Sequence, residues 1–139
     1  MFMSKTVFIK GKNVDLVPIE REHLPLFVQW VNDPEIKVFV GRRTPINTFQ
    51  EEKWFEKVLE KGDVYLSVKH KKSGKIIGSV SLMKIERENR CAELGVLIGD
   101  KKFWNRGLGT EIEKLVLNYA FNTLNLHRVY VHIHATNPR

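Results

Sequence analysis

The chain has 139 residues, 42% hydrophobic and 28% charged, which suits one domain with an apolar core of its own and excludes a disordered polymer. No apolar run approaches the ~18 residues of a membrane-spanning helix, and Met1–Lys5 lacks the apolar stretch of a secretory leader. The single cysteine, Cys91, has no internal disulfide partner, so a reduced, cytoplasmic setting is expected. The net charge of +7 points to an anionic partner: nucleic acid, a membrane surface or phosphate groups. The excess leans toward the end of the chain, where Lys101, Lys102, Arg106, Lys114, Arg128 and Arg139 face only Glu111 and Glu113.

The predicted elements run as follows. Asn13–Val17 alternates and reads as a strand ended by Pro18. Glu20–Val31 reads as a helix, with Leu24, Phe27, Val28 and Val31 at helical spacing and Pro25 in the first turn, where its missing N–H does no harm. Asn32-Asp33-Pro34 stops it, and residues 35–47 read as irregular. Thr48 and Glu51 have the spacing of a capping box, predicting a helix from Thr48 to about Lys61. The period then changes to two. Val64–His70 and Lys75–Lys84 are predicted strands joined by the turn Lys71–Gly74, and Cys91–Ile98 completes a meander. Gly99–Arg106 is a loop. Gly107–Asn122 is the clearest helix, with Ile112, Leu115, Val116, Tyr119 and Ala120 in one stripe, and His127–His134 is a last strand. The order β-α-α-β-β-β-α-β predicts an α+β domain. Its mixed sheet joins an antiparallel meander to a right-handed strand–helix–strand crossover with parallel strands.

The stretch that carries chemistry is Glu93–Ile98, a loop, and then Trp104-Asn105-Arg106-Gly107-Leu108-Gly109-Thr110 opening a helix. Glycines let a ligand approach the backbone, and the free N–H groups of a helix start attract phosphate. A dinucleotide fingerprint would need a third glycine where Ile112 stands. A P-loop would need Lys where Thr110 follows Gly109.

This combination resembles the GNAT superfamily of acyl-CoA N-acyltransferases, and most of all its branch that acetylates ribosomal-protein N-termini and related amines. The resembling stretches, in order, are Asn13–Pro18, Trp30–Glu35, Ala92–Gly95, Phe103–Glu111 and His127–Val129 leading to Asn137. The resemblance implies acetyl-CoA as cosubstrate and direct attack by a primary amine (a protein N-terminus or a small amine) in a ternary complex, with no metal. It implies that backbone N–H groups across Asn105–Thr110 hold the pyrophosphate. It further implies that Val96, Leu97 and Ile98 pair with the pantetheine arm as an added strand, and that Asn137 contacts the cosubstrate near the thioester. Trp104 stands where many relatives carry Gln or Arg; an aromatic residue is common in this branch.

The chemistry needs an amine that has lost its proton, donors for the oxyanion and a proton for the leaving thiolate. Glu93 is the candidate general base, two residues before Gly95 on the strand that faces the cosubstrate; its ordinary reading is a solvent-facing strand glutamate. Asp33 and Glu35 are candidate acceptor-binding carboxylates for a cationic amine, or else exposed charges at a helix stop. The other chemically suggestive residues have plain readings: Cys91 as a small buried residue, His132 and His134 as packing or surface histidines without further ligands, Trp30, Trp54 and Phe55 as core. Lys69, His70, Lys71, Lys72 and Lys75 form a basic hairpin tip, read as a solvated turn or else as a contact for an anionic partner.

The resemblance also implies a further helix, carrying a tyrosine acid, and a hairpin after the point where this chain stops. Residues 1–139 are therefore expected to be a single acyltransferase domain that is incomplete at its C-terminal side, with an edge that a second copy could cover as a homodimer. A CoA-binding domain without turnover is the alternative. A basic nucleic-acid-binding module is disfavoured, because no recognition motif accompanies the charge.

Overall fold

A computed structural model describes residues 6–36 and 44–131. The first element is a strand absent from the sequence-based expectation: β1, Ile9–Lys10, pairs antiparallel with β2, Val14–Pro18. Two residues are too few to show a period, which is why the alternation did not reveal it. The predicted helix after β2 divides into a short 3-10 helix, Arg21–His23, and α1, Leu24–Asn32, with Pro25 in its first turn and Asp33 as its C-cap.

The helix α2, Thr48–Lys61, corrects the expected cap. Thr48 is already helical. Asn47 caps instead, its side chain accepting from the Gln50 N–H at 2.8 Å while the Gln50 carboxamide accepts from the Asn47 N–H at 2.9 Å. Both residue pairs have box spacing, but Glu51 lies on the buried face with Phe55 and Val58. Gly62 ends the helix in the left-handed conformation, at φ 85°.

The meander follows as β3, Val64–His70, β4, Ile76–Glu86, and β5, Cys91–Ile98. A 3-10 turn, Lys101–Phe103, leads to α3, Leu108–Asn122, and the chain returns to β6, Arg128–Tyr130. The strands form one six-stranded sheet in chain order, antiparallel except for the last pair, where β5 and β6 run parallel as expected. The predicted last strand extended to His134; His132, His134 and Asn137 lie outside the described residues.

Strand alternation sorts the sheet into two faces. Val14, Leu16, Leu66, Val68, Val80, Leu82, Ala92 and Leu94 pack against the α3 stripe of Leu108, Ile112, Val116 and Ala120. The opposite face takes α1 and α2 through Leu24, Phe27, Trp30 and Phe55, joined by Tyr65, Leu97 and Trp104. Trp30, Phe55 and Cys91 are buried core, as their plain readings require. No described helix is long and apolar enough to cross a membrane.

Candidate functional site

The loop between β5 and α3 is held from three sides. The Trp104 indole Nε1–H donates to the Ile98 carbonyl at 2.7 Å, closing the turn that leaves β5. Phe103 is buried, with the His70 ring 4.6 Å away on one side and the Arg106 guanidinium 4.9 Å from its centroid. Asn105 and Gly107 both adopt positive φ, 63° and 76°. Left-handed residues alternating with ordinary ones turn successive N–H groups toward a common concavity, an arrangement that suits anions.

Gly107 is the N-cap of α3 and has no side chain with which to satisfy the first-turn N–H groups. Neither Gly107 nor Gly109 would bring an added Cβ within 4 Å of any protein atom. Other glycines differ. A Cβ at Gly99 would fall 1.9 Å from the Trp30 ring, and one at Gly78 would fall 2.0 Å from the Leu97 carbonyl oxygen. Gly78 and Gly99 are glycine because the protein itself fills the space. Gly109 leaves open space in front of an uncapped helix start. Exposed Arg106 and Thr110 border it, while the Leu108 side chain turns into the core and can offer only its backbone. These features fit a pyrophosphate.

Glu111, one residue beyond, is a part of the site that sequence reasoning missed. Its Oε2 accepts the backbone N–H groups of Lys12 and Asn13, both at 2.8 Å, and of Val14 at 3.3 Å, while its Oε1 accepts from the Asn13 side chain at 2.9 Å. The first turn of α3 is thereby clamped to the β1–β2 turn. Partial burial works to raise the Glu111 pKa, but the hydrogen bonds from Asn13, Val14 and Lys12 outweigh it and hold the carboxyl below its ordinary value.

Val96, Leu97 and Ile98 are half-buried and pair with β4 along one edge. On the other edge, the parallel pairing with β6 covers Cys91–Glu93 against Arg128–Tyr130. Glu93 stands at the last pair. Its side chain, 13% exposed, is on the α1/α2 face and meets the Lys84 ammonium at 3.3 Å, while Lys84 itself is 66% exposed. Tyr65 is on the same face, edge-on to Trp54 at 5.0 Å, and its phenol is pushed up to about 12 by burial and by the negative charges of Asp63 and Glu93. No sequence signal marked Lys84, which sits at a left-handed position (φ 52°) where the β4–β5 register shifts.

Asp33 and Glu35 are not a free pair of carboxylates. Lys101 joins them, its Nζ lying 2.9 Å from Asp33 Oδ2 and 2.5 Å from Glu35 Oε1. The hydrogen bond from Lys101 is the main reason the Asp33 pKa is lowered, and the bonds to Glu35 and then Asp33 raise that of Lys101. Asp33, Lys101 and Lys102 line a cavity of about 800 Å³ between α1, the end of β2 and the β3–β4 turn, floored by Trp30 and Ile76. Glu93 is not among its lining residues, so the expected base and the expected acceptor carboxylates occupy separate places. Among the described residues no cluster of side chains suits a metal ion.

A six-stranded sheet in chain order with an uncapped helix start after β5 is a fold on which an anionic cosubstrate can be held. Residues 13–139 match the family described as the acetyltransferase (GNAT) domain, and the chain belongs to that family of acetyltransferase enzymes, whose acetyl donor is acetyl-CoA. It is 27% identical to the N-acetyltransferase 9-like protein of Caenorhabditis briggsae, over 99% of this chain and 74% of the relative. It is 28% identical to the spermidine N(1)-acetyltransferase of Escherichia coli K12, over 91% of this chain and 67% of that enzyme. The fold is that of the spermidine N-acetyltransferase from Vibrio cholerae crystallised with CoA and spermine (TM-score 0.80, 24% identity, 91% of this chain and 74% of the other). The narrower resemblance to the ribosomal-protein branch finds no particular support among these relatives.

Proposed function

We propose that residues 1–139 form one acyltransferase domain that transfers the acetyl group of acetyl-CoA to a primary amine of a small cationic acceptor, by direct attack within a ternary complex. The observation that carries this reading is the uncapped start of α3 behind Gly107 and Gly109, which open onto free space beside Arg106. The backbone N–H groups of Asn105–Thr110 hold the pyrophosphate there. The edge of β5 from Val96 to Ile98 receives the pantetheine arm, and its N–H groups serve the charge that develops on the acyl oxygen. When bound, the coenzyme supplies an activated thioester.

Glu93 is the general base. An alkylammonium has a pKa near ~10 and no lone pair at neutral pH, so its proton must go to a carboxylate before nitrogen can attack. The ammonium of Lys84, 3.3 Å from Glu93, supports this reading, because it shows that the carboxylate accepts an alkylammonium. Asp33 and Glu35 hold the remote cationic end of the acceptor. Their grip on Lys101 is support for this, because an alkylammonium fits between them. The relatives that are spermidine acetyltransferases favour a small polyamine over a protein N-terminus.

The deciding experiment is an acetylation assay with polyamines, amino sugars and N-terminal peptides, run beside calorimetry with acetyl-CoA and with DNA and RNA. Acetyl-CoA-dependent transfer to small polycations is the expected result. Coenzyme binding with no acetylated product from any amine would replace the reading with that of a binding domain. Salt-steep nucleic-acid binding without coenzyme affinity would discard both.

A further inference from the structure

We propose that the chain acetylates itself at Lys84. The proposal rests on the reading of Glu93 as the general base, and it starts from an irregularity in β4. Met83 pairs with Glu93 and Glu86 with Cys91, so β4 takes three steps where β5 takes two. Val80 and Leu82 pack on the α3 side of the sheet, and the next residue to do so is Ile85, not Lys84. Lys84 is therefore the inserted residue of a β-bulge. It adopts the left-handed conformation, at φ 52°, that such a position usually reserves for glycine. Bulges of this kind re-aim a side chain.

Here the re-aimed side chain meets the base. Lys84 Nζ lies 3.3 Å from Glu93 Oε1, with the lysine side chain 66% exposed and the glutamate side chain 13% exposed. An ion pair with one member so exposed contributes little to stability, so the ammonium is brought to the carboxylate without being locked to it. Lys71 and Lys101 are engaged elsewhere. Lys71 lies near Asp15, and Lys101 joins Asp33 and Glu35 beside a cavity that Glu93 does not line. The next residue after Glu93 on the same face of β5 is Gly95, which has no side chain to stand between Lys84 and the edge at Val96–Ile98.

The chemistry is that of the proposed reaction with the chain's own amine as acceptor. The Lys84 ammonium gives one proton to the Glu93 carboxylate, and the freed lone pair on Nζ attacks the carbonyl carbon of the acetyl thioester. The C–N bond forms, the C–S bond breaks with its electron pair going to sulfur, and the second amine proton passes to the coenzyme thiolate. The products are N-acetyl-lysine, free CoA and a protonated Glu93 that returns its proton to water. Because the amine is tethered to the base's own sheet, the transfer needs no bound acceptor. Acetylation cancels the charge that draws Lys84 to Glu93 and so frees the carboxylate of that lysine.

Two measurements test the assignment. Without coenzyme, the NMR signal of the Lys84 ammonium in lysine-labelled chain is expected to shift in Glu93→Gln, and an unmoved signal would overturn the pairing on which self-transfer stands. Peptide mapping by mass spectrometry then follows the wild-type chain incubated with acetyl-CoA, with and without an added polyamine. Lys84 is expected to be acetylated at least about tenfold faster than Lys72, an exposed lysine of the β3–β4 turn, at a rate per chain that does not depend on chain concentration. Lys84 modified no faster than Lys72, or at a rate that rises with chain concentration, would overturn self-transfer, and acetylated polyamine in the same tube would leave the proposed acyl transfer intact. Acetylation of neither Lys84 nor the polyamine would overturn both. The wild-type comparison needs no mutation, so the fold of a variant cannot obscure it.

Discussion

The proposed coenzyme end and the proposed acceptor side of this molecule treat charge in opposite ways. At the start of α3 the backbone amides are uncapped and Gly109 faces open space. On the acceptor side every carboxylate of interest already holds an ammonium: Glu93 that of Lys84, Asp33 and Glu35 that of Lys101. An anion arriving at the first region meets open space and an uncapped helix start. A cation arriving at the second must replace a lysine. The contrast predicts a coenzyme site that is preformed and an acceptor site that is gated by competition.

Removing the base breaks the comparison most severely. Glu93→Gln is expected to lower kcat by about 10²–10⁴-fold, with turnover partly regained at high pH where the amine loses its own proton. Affinity for acetyl-CoA should hold. Wild-type turnover at every pH would remove Glu93 from the mechanism. The next effect concerns the cradle. Gly109→Val places its Cβ in open space and replaces a helical glycine, so the fold should melt at the same temperature or higher. It blocks two or more charge-assisted hydrogen bonds, each worth roughly 1.5–3 kcal/mol, so coenzyme affinity should fall by about 10²-fold or more. Gly99→Ala is its control: a Cβ 1.9 Å from the Trp30 ring damages packing and thermal stability. Unchanged CoA affinity in Gly109→Val would show that the open space serves nothing.

The two regions were also unequally legible in the amino-acid sequence. The coenzyme end is local in its elements: β5, the loop and α3 are contiguous, and period-two and period-3.6 patterns with two glycines between them mark their order. The parallel return to β6 followed from topology alone. The acceptor side depends on encounters between distant surface residues. Lys101 meets Glu35 across 66 positions, and exposed charges follow no period that could announce it. Glu111 reaches Asn13 across 98 positions for the same reason. The misassigned cap is a finer case: Asn47/Gln50 and Thr48/Glu51 both fit the box, and Glu51 is buried on the helix face it shares with Phe55 and Val58, which the spacing does not reveal.

Glu111→Gln sharpens the coenzyme side of the comparison, because it loosens the cradle without touching it. Glutamine can keep one oxygen on the three backbone N–H groups, but its charge is gone and its NH2 group then faces the Asn13 side-chain donor, so a loss of about 1–2 kcal/mol is expected in denaturant titrations. The sign with pH follows from the shift. A folded pKa below the ordinary value means stability that is present at neutral pH, above the unfolded pKa, and lost as pH falls through the folded one. The variant should therefore lose stability less steeply on acidification than the wild type. Parallel acid limbs in the two proteins would show that the clamp carries no such weight.

The smallest expected effect tests the acceptor side directly. Lys101→Met removes the internal ammonium and leaves Asp33 and Glu35 unoccupied. Exposed ion pairs of this kind contribute only about 0–1 kcal/mol, so thermal stability should barely move. If the pair is where a cationic acceptor binds, the wild type loses acceptor affinity to its own lysine, and the variant should show a KM for a polyamine lowered by a few-fold at unchanged kcat. The difference should vanish for an uncharged primary amine, which has no reason to seek two carboxylates. It should also shrink as salt screens the competition. A polyamine KM that rises, or that does not change, would mean that Asp33 and Glu35 exist to fix Lys101 rather than to receive a substrate, and the acceptor would then have to be sought along the face that Glu93 shares with Tyr65.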